Sequence, residues 1–366
     1  MKGMIVDAKA FSEAMNKVSR VLKKSAIPIL EEIRVSVKDG VCTLTATDLE
    51  TWLTARLPVK GDDMSFTFFK TKDVMKACSH FDGELTIELY EQPEKRKDAR
   101  RLRLYCGQRA AEYDATSDED YPSLVSVASD KVFQTNAAQF LARIERVRYA
   151  TMKPGANTKP FNTCVQFNGQ RVFSLDGYRM ACDTQEDLTF PVPFLAYGSS
   201  LAYLKVFGKS DVTVQVGDRY VLFTDGEVSL YVRRHGVDTF DVDSAVPKQY
   251  QEAVTVRTAD FINELNYLKE CASGTTKPYV RFSGESLSMS APNGKFRTSI
   301  PVSGRGDLTL GFDLRYMLDA LKQFKDEPAV TVKLSGVFSP IVIEAENRGD
   351  FALVLPVRIK EEELAA

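Results

Sequence analysis

Phe11-Ser12-x-x-Met15-x-x-Val18, Phe140-Leu141-x-x-Ile144-x-x-Val147 and Phe261-Ile262-x-x-Leu265-x-x-Leu268 are three copies of one pattern. Apolar residues at i, i+4 and i+7 fall on one face of a 3.6-residue helix. Ser12 weakens only the first copy. The copies begin 129 and 121 residues apart, so they cut the chain into thirds. One such stripe is ordinary; three at near-equal intervals define a repeat, and a repeat constrains the fold before any other signal does.

The segments downstream of the stripes repeat as well. In the first third, Ile33–Val37, a Lys38-Asp39-Gly40 turn and Cys42–Ala46 lead to a helix near Thr71–His80 and a strand at Leu85–Leu89. In the middle third, Thr163–Phe167, an Asn168-Gly169 turn and Val172–Leu175 lead to a helix near Ser199–Lys205 and a strand at Val212–Val216. In the last, Tyr279–Phe282, a Ser283-Gly284 turn and Leu287–Ser290 lead to a helix near Leu314–Phe324 and a strand at Val330–Leu334. Alternating side chains around short glycine turns are the mark of hairpins. Each third reads as helix, antiparallel strands, helix, antiparallel strands, which is α+β and not a parallel βαβ sheet.

A chain of 366 residues has room for two or three domains. The repeat selects three, at 1–125, 126–248 and 249–366. A hydrophobic content of 44% is enough for real cores. The start, Met1-Lys2-Gly3-Met4-Ile5-Val6-Asp7, lacks the apolar centre of a signal peptide, and no apolar run approaches about 20 residues. A cytoplasmic protein with no membrane partner is expected. Cys42, Cys78, Cys106, Cys164, Cys182 and Cys271 are scattered without a C-x-x-C pair, which favours buried free thiols over disulfides or metal.

Catalytic patterns are scarce. His80 and His235 are the only histidines, too few for a histidine metal cluster or a Ser-His-Asp relay. Gly304-Arg305-Gly306-Asp307 lacks the third glycine of a dinucleotide loop. Asp62-Asp63 and Asp118-Glu119-Asp120 read as solvated turns; a carboxylate metal site is the alternative. The expectation is a protein without catalytic residues, metal or cofactor.

Charge is more informative. Arg20, Lys23 and Lys24 accompany the first stripe, with Lys17; Arg143, Arg146 and Arg148 accompany the second. The second helices carry Lys72 and Lys76 with Lys70, then Lys205 and Lys209, then Lys322 with Arg315 and Lys325. Net charge is −2, so acid elsewhere (Glu31-Glu32, Asp118–Asp120, Glu361-Glu362-Glu363) must offset these cations. Segregated charge at near-neutral total suggests one positive and one negative surface. The plain alternative is that lysines decorate any exposed helix. A duplex held through phosphates without base reading would need nothing more than such a surface. Lys95-Arg96-Lys97 with Arg100, Arg101 and Arg103 reads as a solvated hairpin loop.

Longer motifs carry a resemblance. Ile27-Pro28-Ile29-Leu30, Leu44-Thr45-Ala46-Thr47-Asp48-Leu49-Glu50, Asp120-Tyr121-Pro122-Ser123-Leu124 and Leu175-Asp176-Gly177-Tyr178-Arg179-Met180-Ala181 stand in order along the chain. Phe312-x-x-Arg315-Tyr316-Met317-Leu318-Asp319-Ala320-Leu321 and Leu353-Val354-Leu355-Pro356-Val357-Arg358 complete the series. Together they resemble the bacterial DNA polymerase III beta subunits, the sliding-clamp family, over essentially the whole chain.

The resemblance implies a homodimer closed head to tail into a ring, with helices around a central hole and sheets outside. Double-stranded DNA would pass through the hole. The replicative polymerase, the clamp loader and repair proteins would dock through short linear peptides in a groove between the second and third domains. Carried over by position, that groove comprises Lys159, Phe161, Leu175, Gly177, Tyr178, Arg179, Met180, Phe240, Ala245, Tyr316, Phe338, Pro340, Leu353, Leu355, Pro356, Val357 and Arg358. Leu175 and Tyr178 stand where the family commonly has Thr and His, and Lys159 where many members have Arg. A scaffold that binds peptides without encircling DNA is the second reading.

Overall fold

All three stripes turn inward in the computed structural model, which describes residues 1–68, 70–91, 100–155, 158–236, 238–271, 279–283, 286–290, 296–306, 308–346 and 348–358. Phe11, Met15 and Val18 are buried on helix Ala8–Val18; Phe140, Ile144 and Val147 on Ala137–Arg148; Phe261, Leu265 and Leu268 on Thr258–Cys271. Burying a side chain of this size is worth about 1.5–3 kcal/mol, so each stripe is a principal anchor of its core. Asp7 and Asn136 cap the first two helices, accepting from the N–H of Ala10 at 2.8 Å and of Gln139 at 3.3 Å.

A strand precedes each of these helices: Lys2–Asp7, Val132–Asn136 and Glu252–Arg257. The sequence pattern predicts a helix first in each third, and these strands are additional to it. They alternate too briefly to stand out beside the longer stripe next to them. Each third is otherwise as expected: hairpin strands, a second helix (Thr71–Cys78, Gly198–Leu201, Leu314–Lys322) and antiparallel strands. The middle one is a single α-turn that continues as a 3-10 helix, Ala202–Phe207.

The chain divides into two compact units, Met1–Leu141 with Ser199–Arg234, and Ala142–Gly198 with His235–Ala366. Each unit joins one outer third to part of the middle one. The first is organised on a 13-stranded sheet, the second on sheets of nine and five strands. Inside each unit one ladder crosses from third to third. In the first, Thr51–Pro58 pairs antiparallel with Val228–Arg233, Thr51 facing Val232 and Ala55 facing Val228. In the second, Arg179–Thr184 pairs with Asp350–Val354, Arg179 facing Val354 and Asp183 facing Asp350. Thr51–Pro58 and Arg179–Thr184 hold the same place in their thirds, and so do Val228–Arg233 and Asp350–Val354.

The third pair of equivalent strands is not joined. Arg109–Thr116 pairs with Arg100–Cys106 on one side, while on the other only Ala115 and Thr116 reach Phe68 and Thr67. Arg297–Pro301 pairs with Ser286–Ser290 and ends its sheet. Among the described residues, both strands carry an open edge.

Some charges lie elsewhere than expected. Arg100, Arg101 and Arg103 sit on a strand, not in a loop, and Arg101 and Arg103 pair with Glu112 at 3.1 and 2.8 Å. Glu32 is buried and accepts from the Thr116 hydroxyl, so it adds nothing to an acidic surface. Lys95–Lys97, Gly284, Asp307 and the tail 360–366 fall outside the described residues. The six cysteines are free thiols, five of them buried. Burial pushes the Cys42 and Cys182 thiols up to about 12, which keeps them protonated and unreactive at neutral pH.

Candidate functional site

The motif Leu175–Met180 forms a tight turn at the end of the ladder in the second unit. Gly177 adopts φ +87°, a conformation costly for other residues. Asp176 locks the turn: its Oδ1 accepts from the backbone N–H of Tyr178 at 3.0 Å and of Arg179 at 3.1 Å. Beyond the turn the ladder adds one more bond, from the Leu355 N–H to the Tyr178 carbonyl at 2.9 Å.

Arg179 ties this turn to helix Leu314–Lys322. Its guanidinium reaches Asp176 at 3.0 Å and Asp319 at 2.7 Å. It also lies 4.5 Å from the ring centre of Tyr316 and 5.4 Å from that of Tyr149. Burial alone would lower its pKa, but the two carboxylates outweigh burial and the net shift is upward. A planar guanidinium between acids and rings is a use of arginine that lysine does not match. Tyr178 stacks on Tyr316, ring centres 6.0 Å apart and planes inclined by 24°.

Under the turn lies an apolar cluster of Phe173, Leu175, Met180, Val242, Val342 and Leu353, with Phe161, Phe240 and Ala245 packed against it. Gln166, which the sequence pattern does not single out, ties Phe161 to Phe240 beside this cluster. Its Nε2 donates to the Phe161 carbonyl and its Oε1 accepts from the Phe240 N–H, each at 2.9 Å. Gln166 is fully buried in strand Cys164–Asn168, so both polar atoms of its amide need partners. Lys159 is exposed, 5.6 Å from the Phe161 ring centre. Pro340, Pro356 and Val357 are half-buried and Arg358 is exposed.

The groove residues therefore separate into two kinds. Leu175, Met180 and Leu353 are 7, 3 and 4% exposed, so they form a floor that is already packed. Tyr178, Phe338 and Leu355 are 58, 76 and 36% exposed, and the first and last adjoin through the Leu355 N–H to Tyr178 carbonyl bond. Large apolar side chains exposed together are characteristic of contact surfaces.

The cations also separate. In the first unit Arg20, Lys23, Lys24, Lys72, Lys76, Lys205 and Lys209 are exposed. Lys23, Lys24, Lys70 and Lys72 line a cavity of about 710 Å³ with Leu22, Pro28 and Met75. Lys23 pairs with Asp48 at 2.7 Å; burial lowers its pKa, the Asp48 interaction more than offsets this, and the net shift is upward. In the second unit Lys322 is exposed, while Arg148 pairs with Glu145 at 2.7 Å. Arg146 pairs with Asp183 at 3.0 Å and is 31% exposed.

Arg143 departs from the sequence expectation. Its side chain is 2% exposed, its Nε donates to Asp183 at 2.7 Å and its Nη2 to the Gln170 carbonyl at 2.9 Å. A guanidinium so enclosed does not face DNA. Its position, three residues after Phe140 and four before Val147, lies within the apolar stripe, and that placement prevailed over its charge.

Residues 2–125 match the family model described as DNA polymerase III beta subunit, N-terminal domain. Beta sliding clamps of Staphylococcus epidermidis and Streptococcus pneumoniae are 21% and 20% identical to this chain, over 94% and 96% of its length and 97% and 98% of theirs. The chain is thus similar to DNA polymerase III beta subunits, through the family's N-terminal domain at residues 2–125 and through beta sliding clamps over its whole length. The fold of the family extends over the whole molecule. The Pseudomonas aeruginosa DNA polymerase III subunit beta superposes with a TM-score of 0.86 at 18% identity, covering 98% of this chain and 100% of that one. The Bacillus subtilis sliding clamp gives 0.83 at 20% identity, with the same coverage. At such identities the clamp backbone is retained while most side chains differ, so the groove and the basic surface must be argued from the residues present. Among the described residues no group of His, Cys, Asp and Glu is arranged to hold a metal, and no helix is long and apolar enough to cross a membrane.

Proposed function

We propose that the chain is a non-catalytic DNA polymerase processivity factor. Two copies, each of three clamp domains, join head to tail in a ring around duplex DNA. The ring slides without reading sequence, and it holds the polymerase and other replication and repair proteins through peptides laid in the groove at Tyr316, Phe338 and Leu355.

The observation that carries this reading is the open pair of strand edges. The ladder between equivalent strands is made twice within the chain, and its two halves are left over once, at Arg109–Thr116 and Arg297–Pro301. A second copy offers each edge its missing partner, and two such contacts close a cyclic dimer in which neither of these two edges is exposed. The exposed cations from Arg20 to Lys209 suit phosphate contacts, which position a duplex without specifying its sequence. A packed floor behind an apolar rim suits an extended peptide with apolar anchors.

Proline placed in turn at Ala110 and Ala111 tests the ring. One of the two backbone N–H groups faces the open edge, and its removal should turn a dimer of twice 40.9 kDa into monomer by light scattering. The same variant should lose retention on circular DNA. A dimer that survives both substitutions would place the subunit contact elsewhere. A monomer that still retains DNA would favour the non-encircling scaffold.

A further inference from the structure

We infer that Tyr178 is a displaceable cover on the peptide groove, its ring occupying the face of Tyr316 that a partner's apolar side chain must take. The inference rests on the proposed groove and adds a specificity-determining residue to it. The floor residues Leu175, Met180 and Leu353 are packed almost completely, so an incoming side chain gains area chiefly at Tyr316, Leu355 and Phe338. Tyr316 is the half-buried member of this group and is held from behind: its helix is fixed to the turn by Arg179–Asp319, and Arg179 lies against its ring. Tyr178 is the loose member, 58% exposed and stacked on Tyr316 alone among the described ring contacts.

The backbone beneath Tyr178 is fixed at both polar groups. Its N–H is held by Asp176 and its carbonyl by the Leu355 N–H. The ring can therefore leave Tyr316 by rotation of its own side-chain torsions, on the fast timescale of exposed rotamers, with the turn and the ladder intact. While the stack is formed, the apolar face of Tyr316 is filled by the chain itself. A peptide must bind the uncovered fraction, and its apparent affinity is reduced by that fraction.

The experiment measures a short fluorescent peptide carrying one Leu and one Phe against the intact dimer, by anisotropy at equilibrium and by stopped flow. Tyr178→Ala should bind about three- to tenfold tighter, with the gain in the association rate, as expected when an aromatic stack of ordinary strength no longer competes. Tyr178→Phe, which keeps the ring, should match the native chain within about twofold. Weaker binding by Tyr178→Ala would make the ring part of the contact surface and overturn the cover. Unchanged binding would put the stack outside the path of the peptide and overturn it as well. Absence of binding to the native chain and to both variants would instead overturn the groove reading, and the cover with it.

Discussion

The turn Asp48-Leu49-Glu50-Thr51 in the first unit and the turn Asp176-Gly177-Tyr178-Arg179 in the second share one backbone. In each, the Asp N–H donates to the carbonyl three residues on at 3.2 Å. Asp48 Oδ1 accepts from Glu50 and Thr51 at 3.2 and 2.8 Å, as Asp176 does from Tyr178 and Arg179. The second residue has positive φ in both, 70° at Leu49 and 87° at Gly177. The next strand adds the same last ladder bond, Arg233 N–H to Glu50 and Leu355 N–H to Tyr178. What differs is the cap. Glu50 and Arg233 close the first turn with an ion pair at 2.8 Å, whereas Tyr178 and Leu355 leave the second apolar and exposed. One backbone thus carries a solvated end in one unit and a binding rim in the other. What the end of the ladder presents is a matter of the side chains placed on a repeated scaffold.

The strands leading from these turns differ in the opposite sense. Asp183 occupies the place that Ala55 holds in the first unit, and Arg143 the place of Ala14. The first unit has small apolar residues where the second buries an ion pair, both side chains 2% exposed. Breaking such a pair from one side leaves an uncompensated charge, while removing both partners often costs little. Asp183→Ala, which strands the buried Arg143 guanidinium while Arg146 remains partly exposed, should therefore destabilise the protein by about 3–5 kcal/mol in denaturant unfolding. Arg143→Ala combined with Asp183→Ala, which restores the chemistry of the first unit, should recover most of that loss. A double variant as unstable as the single one would mean that the pair is required for packing and that the comparison between units fails there.

Converting the second cap into the first is the next test in size. Tyr178→Glu with Leu355→Arg should retain the turn, because Asp176 and Gly177 are untouched, and should reduce affinity for an apolar-anchored peptide by about a hundredfold, or about 2.7 kcal/mol, the loss of Leu355 to a charged pair outweighing the uncovering of Tyr316. Neutralising the first cap by Glu50→Gln and Arg233→Gln should leave peptide affinity unaltered. Equal losses in both variants would show that the two turns are not distinguished by their caps.

Much of this was legible in the sequence, and the illegible part has physical causes. The stripes, the hairpins and the threefold spacing come from periodicity, which burial enforces residue by residue, so three copies reinforced one another. The equivalence of the turns was hidden because Thr47-Asp48-Leu49-Glu50 and Leu175-Asp176-Gly177-Tyr178 share only the aspartate, the residue whose side chain makes the turn. Arg143 was misplaced because its charge argued for solvent while its position argued for the core, and nothing in one sequence reveals that Asp183, 40 residues away, neutralises it. Gln166 escaped because a buried amide becomes recognisable only when both its partners are located. The open edges are invisible before the closed ladders are known.

The smallest effect should come from the one residue in which the shared turn is imperfect. Leu49 is a β-carbon residue at φ 70°, where Gly177 stands in the other copy, and such a conformation costs an L-residue roughly 1–2 kcal/mol. Glycine relieves that strain but raises the entropy of the unfolded chain, at a cost of about 0.4–1 kcal/mol. Leu49 is 41% exposed, so part of its side chain contributes little packing. Leu49→Gly should thus stabilise the first unit by about 0.5 kcal/mol, a small rise in the unfolding midpoint without change in slope. Gly177→Ala, the reverse change, should destabilise by about 1 kcal/mol; nothing lies within 4 Å of the added methyl, so the loss would be backbone strain alone. If Leu49→Gly is instead less stable than the native chain, the Leu49 side chain makes contacts worth more than the strain, and the leucine is there for its surface. The exposed leucine beside Lys23–Asp48 would then be a second place where this repeated turn presents an apolar group to a partner.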